Sequence, residues 1–111
     1  MSLNEAQQHF AKMVGDLLTW IYNQPGHAVT LGEAFRPQEM ANIYAERGIG
    51  IKNSLHIIRL AIDLNLFING KYMTQSESYR QLGEEWESYH VSNRWGGKFL
   101  KPDGNHFEFN I

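Results

Sequence analysis

One eight-residue stretch constrains the fold more than any other. Leu60, Ile62, Leu64 and Leu66 alternate with Ala61, Asp63, Asn65 and Phe67. A period of two fits a strand with one face in a core and the other open. Asn69-Gly70 follows, and both positions tolerate the positive φ of a type I′ turn, so the strand should fold back over residues 71–74. The C-terminus repeats the pattern, with Phe107, Phe109 and Ile111 on one side and His106, Glu108 and Asn110 on the other. A chain of 111 residues holding two such strands is expected to form one domain, residues 1–111, around a small, mainly antiparallel sheet.

Helical signals surround the strands. Leu3, Ala6, Phe10, Met13, Val14, Leu17, Leu18 and Ile21 share one helical face, which predicts a helix over residues 3–23. Asn23-Gln24-Pro25-Gly26 ends it. Residues 27–32 read as a short strand, and Pro37 opens a second helix that runs to about Glu46 and stops at Gly48 and Gly50. Ser76 or Ser78 is expected to cap a third helix, with Tyr79, Leu82, Trp86 and Tyr89 inward and Glu84, Glu85 and Glu87 turned to water. The resulting class is α+β, with the helices packed on one face of the sheet.

Composition removes several function classes. Ten Lys+Arg stand against twelve Asp+Glu, a net charge of −2 that divides evenly between residues 1–55 and 56–111. A strongly basic face of the kind a dedicated nucleic-acid binder presents is therefore not expected, nor is a nucleic-acid partner. No apolar run approaches the roughly 20 residues of a transmembrane helix. The N-terminus lacks the pattern of a secretory signal, so synthesis in the cytoplasm is expected. With no cysteine, any metal falls to His, Asp and Glu.

Those residues occur in a suggestive order. Asp63 lies on the strand face opposite the leucines, and His106 on the face opposite the phenylalanines. If the strands share a sheet, both emerge on its open side, and His56, seven residues before Asp63, can fold over the same surface. Two imidazoles and one carboxylate suit a catalytic zinc that keeps a position for water. On spacing alone, ordinary surface or hydrogen-bonding residues are the more usual reading of such a pattern.

The motifs add weight. Ser54-Leu55-His56-Ile57-Ile58-Arg59-Leu60-Ala61-Ile62-Asp63 resembles the S-x-H-x-x-x-x-A-x-D motif of zinc D-Ala-D-Ala carboxypeptidases and dipeptidases. That family includes the L-alanyl-D-glutamate peptidases used as phage endolysins. Its second motif, an acid three residues before a histidine, reads here Asp103-Gly104-Asn105-His106, preceded by Trp95-Gly96-Gly97. Asp in place of Glu, with the small size, is more similar to the endolysin branch. Gly32-Glu33-Ala34-Phe35-Arg36-Pro37-Gln38 is similar to the stretch carrying the family's substrate-facing arginine.

The resemblance implies a hedgehog/DD-peptidase fold with the site on the open face of the sheet. His56, Asp63 and His106 would hold Zn2+, Asp103 would be the general base and acid, and Arg36 would anchor or polarise the substrate. The implied substrate is the peptidoglycan stem peptide, cut at L-Ala–D-Glu or alternatively at the terminal D-Ala–D-Ala, by a monomer that reaches the cell wall after release. Glu108 is either a rival base or the orienter of an imidazole, and Ser54 a hydrogen-bonding support. Trp95, beside two glycines, is expected either to line the substrate cleft or to pack in the core. Arg59 departs from the pattern, since many members have glycine there. That departure raises a second reading, a non-catalytic module that binds peptidoglycan or a phage partner.

Overall fold

The computed structural model describes residues 1–51 and 53–111. Its centre is β2 (Ala61–Ile68), the alternating segment, which buries Ile62, Leu64 and Leu66 and leaves Asp63 and Asn65 half-exposed. Along one edge β2 pairs antiparallel with β1 (His27–Leu31), in the register His27↔Ile68 to Leu31↔Leu64. Along the other it pairs with β5 (His106–Phe109) and with the short β3 (Lys71–Tyr72). β4 (Asn93–Trp95) pairs with β5 and gives the order β1-β2-β5-β4. The β2–β3 hairpin turns at Asn69 (φ 51°) and Gly70 (φ 81°), as a type I′ turn requires.

The apolar face of the sheet is covered by α1 (Leu3–Tyr22) and α3 (Arg80–Ser88). Helix α1 starts in a capping box, with Ser2 accepting from the Glu5 amide and Glu5 returning to the Ser2 amide. Its buried stripe of Ala6, Phe10, Met13, Val14, Leu17 and Ile21 meets Leu64, Leu66, Trp86, Phe107 and Phe109 in one cluster. Burial of an apolar side chain of this size stabilises by about 1.5–3 kcal/mol. The remaining helix, α2 (Gln38–Glu46), buries only Ala41 and stands beside the cleft described below.

The structure corrects three expectations. Neither Ser76 nor Ser78 caps α3; residues Ser76–Tyr79 form a 3₁₀ turn that leads into it, and the Ser76 hydroxyl accepts from the Gly104 amide at 2.9 Å. Glu87 does not face water alone. Its carboxylate accepts from the Trp95 amide at 3.0 Å and pairs with Lys98. Trp95 does not line a cleft. It is 1% exposed, donates from its indole to the Gly104 carbonyl at 2.7 Å, and fills space that only the missing side chains of Gly83 and Gly97 leave open. Among the described residues, no helix is long and apolar enough to cross a membrane.

Candidate metal centre

Register is what assembles the site. Asp63 of β2 and His106 of β5 are direct cross-strand partners, and a strand pair points such partners to the same face. The third residue, His56, comes from a 3₁₀ turn (Leu55–Ile58) just before β2. Ser54 caps that turn, its hydroxyl accepting from the His56 amide at 3.2 Å, so its support reaches His56 through the backbone. The turn leaves through Arg59 in the left-handed region, at φ 58° and ψ 39°.

One ligand atom from each of His56, Asp63 and His106 lies within 4.8 Å of the other two. Asp63 Oδ1 is 3.3 Å from His56 Nε2 and 3.4 Å from His106 Nδ1, yet it is buried and makes no hydrogen bond among the described residues. Buried carboxylate oxygens are normally hydrogen-bonded. An orphaned oxygen within 3.4 Å of two imidazole nitrogens fits a cation with nitrogen and oxygen ligands.

Charge follows the same geometry. Burial pushes Asp63 up, but the two imidazoles beside it prevail and hold its pKa at about 2. Burial pushes His106 down, but the Asp63 carboxylate at 3.4 Å and the Glu108 carboxylate at 2.7 Å outweigh it and raise the pKa to about 9. Glu108 sits behind His106: Oε1 is 2.7 Å from His106 Nε2, and Oε2 accepts from Arg94 Nε at 2.8 Å. Burial raises the Glu108 pKa, and these two cationic partners more than reverse it.

Asp103 and Arg36 complete the arrangement. Asp103 is exposed, in a loop pinned by its amide to the Gly96 carbonyl at 2.9 Å and by its carbonyl to the His106 amide at 3.1 Å. The protein mass around its carboxyl raises its pKa, with the charge of Asp63 adding to the rise and His106, His56 and Arg36 opposing it. Arg36 is carried in on the segment after β1. Gly32 donates to the Asp63 carbonyl at 2.8 Å, Asp63 to the Glu33 carbonyl at 3.0 Å, and Arg36 to the His56 carbonyl at 3.1 Å. His56, Asp63, His106, Asp103 and Arg36 all line one cleft of about 840 Å³, rimmed by Ile49, Ile51 and Leu100.

A family profile described as D-alanyl-D-alanine carboxypeptidase matches residues 47–109, more than half of the chain. The chain belongs to that family. Its matched region holds all three converging residues and Asp103, while Arg36 lies outside it. The fold agrees with a solved relative, the Serratia marcescens L-Ala D-Glu endopeptidase ChiX, at a TM-score of 0.76 over 93% of this chain and 79% of that one. Identity with it is 16%, so the likeness is one of fold. No curated protein sequence matches the chain significantly.

Within this family fold, Arg59 loses its strangeness. The position demands a left-handed backbone, which glycine adopts without cost and other residues reach at a penalty. Arg59 does reach it, with its exposed guanidinium lying over the Phe35 ring at 4.2 Å and away from the cleft lining. Two features carry no legible signal in the sequence. Glu33 lies in the arginine stretch with nothing to mark it for a role, and Arg94 belongs to no pattern at all.

Proposed function

We propose that this chain is a zinc-dependent peptidoglycan peptidase that cuts the stem peptide at the L-Ala–D-Glu bond, as an endolysin does. The observation that carries the reading is the convergence of His56, Asp63 and His106 around a buried, unpartnered carboxylate oxygen. Family membership supports peptidase chemistry, and Asp103 in place of glutamate three residues before His106 favours this bond over terminal D-Ala–D-Ala.

His56 Nε2, Asp63 Oδ1 and His106 Nδ1 would hold the zinc. Bound there, zinc supplies Lewis-acid chemistry, making water acidic enough to attack near neutral pH and polarising a carbonyl. Asp103 takes the proton of the attacking water and delivers it to the leaving amine. Its raised pKa suits a group that must both accept and donate. Glu108 is left to orient His106, because its two oxygens are committed to His106 and Arg94. Arg36, whose side chain is 13% exposed, offers its guanidinium to a substrate carboxylate or to the developing oxyanion.

The test is mass spectrometry of fragments that the zinc-loaded protein releases from purified peptidoglycan. New glutamyl N-termini are expected. Loss of terminal D-Ala would make the chain a carboxypeptidase. Stem peptide bound by a zinc-free protein, with no fragments released, would make it a binding module.

A further inference from the structure

On one side of the centre, Arg94, Glu108 and His106 form a closed series of contacts. A second arginine–glutamate–histidine series stands on the other side. Glu33 Oε1 accepts from Arg36 Nε at 2.6 Å and lies 2.5 Å from Arg36 Nη2. The same oxygen is 3.9 Å from His56 Nδ1. That nitrogen is buried and has no hydrogen-bond partner among the described residues. An imidazole that offers Nε2 to a cation keeps its proton on Nδ1, and a buried N–H without an acceptor is costly.

We infer that Glu33 is a positioning residue that serves both His56 and Arg36. Its carboxylate receives the Nδ1–H of His56 when Nε2 holds the cation, after a small rotation that closes the present gap. It also grips Arg36 by the Nε/Nη2 edge, which turns the Nη1/Nη2 edge toward an incoming carboxylate. The backbone holds Glu33 in place between the two. Its carbonyl accepts from the Asp63 amide at 3.0 Å, and three residues on Arg36 donates to the His56 carbonyl at 3.1 Å. Two groups that must act together, a ligand imidazole and a substrate-facing guanidinium, thus lean on one carboxylate oxygen. Carboxylates behind ligand histidines fix ring orientation and strengthen the ligand.

The inference rests on the zinc reading, and its test separates the two. Zinc affinity of the full chain is measured by competition with a chromophoric chelator, for the parent and for Glu33→Ala, Glu33→Gln and His106→Ala. Steady-state kinetics on a stem peptide and on its amidated, carboxylate-free counterpart accompany it. Glu33→Ala should weaken zinc by about 10–100-fold and raise KM for the carboxylate-bearing peptide more than for the amidated one. Glu33→Gln preserves the shape and should lose a smaller part of both, which keeps the test alive if the alanine variant folds poorly. A parent that binds zinc and loses it in His106→Ala, with both Glu33 variants within twofold of the parent, overturns the role of Glu33 alone. A parent that binds no zinc overturns the metal reading and this inference together.

Discussion

The two imidazoles of the centre are held in contrasting ways. His106 lies in a regular strand, in register with Asp63, with Glu108 at 2.7 Å behind it. His56 lies in a four-residue 3₁₀ turn that must leave through a left-handed arginine, and its outer nitrogen has no partner closer than Glu33 at 3.9 Å. One arm is built from strand pairing and is set before any ligand arrives. The other depends on a turn, a cap and a neighbouring segment, and has slack to take up. The contrast can be tested.

The largest effect should come from the fixed arm. His106→Ala is expected to abolish both zinc binding and cell-wall cleavage, measured by elemental analysis and by release of soluble fragments. Asp103→Ala should keep the metal and lower kcat by about 10²–10⁴-fold. Undiminished cleavage would remove Asp103 from the mechanism.

The pH dependence sharpens the contrast. In the zinc-free chain the His106 pKa, raised from 6.5 to about 9, stabilises the fold fully below 6.5, and that contribution disappears as pH rises through 9. The Asp63 pKa, lowered from 3.8 to about 2, contributes above 3.8 and is lost as pH falls toward 2. Zinc must displace the His106 proton, so its affinity should rise by about tenfold per pH unit from 7 and level off near 9. A flat profile over that interval would mean that His106 binds no proton there.

Glu108→Ala should weaken zinc by about 10–100-fold and bring the plateau of that profile to lower pH, because the carboxylate that raises the His106 pKa is gone. The smallest effect concerns the adjustable arm. Arg59→Gly relieves the left-handed backbone and Arg59→Ala keeps it, while both lose the contact with Phe35. The glycine variant should therefore be the more stable by about 1–2 kcal/mol in chemical denaturation. Equal stabilities would mean that the turn carries no strain at Arg59.

Much of this was legible in the residues, and the failures have physical causes. Alternation along 60–67 and 106–111 placed Asp63 and His106 on the open face, because side-chain direction in a strand is a local property. The helical stripe of α1 was readable for the same reason. Trp95 was ambiguous because a tryptophan beside glycines reads alike in a cleft or a core. Only the approach of Gly83 from α3 decides for the core. Ser76 had the right chemistry for a cap, but the Gly104 amide, 28 residues away, claims its hydroxyl. Glu87 likewise belongs to the Trp95 amide and Lys98.

The sequence by itself determined which residues share a face, where the chain turns, and which side chains have the chemistry to hold a cation. These follow from periodicities of two and 3.6 and from backbone preferences, which act over a few neighbours. Only the tertiary structure decided that Asp63 stands opposite His106, that Glu108 backs one imidazole while Glu33 stands near the other, and that Arg59 must be left-handed. Such facts depend on which distant segments meet and in what register. That is fixed by packing the whole core at once.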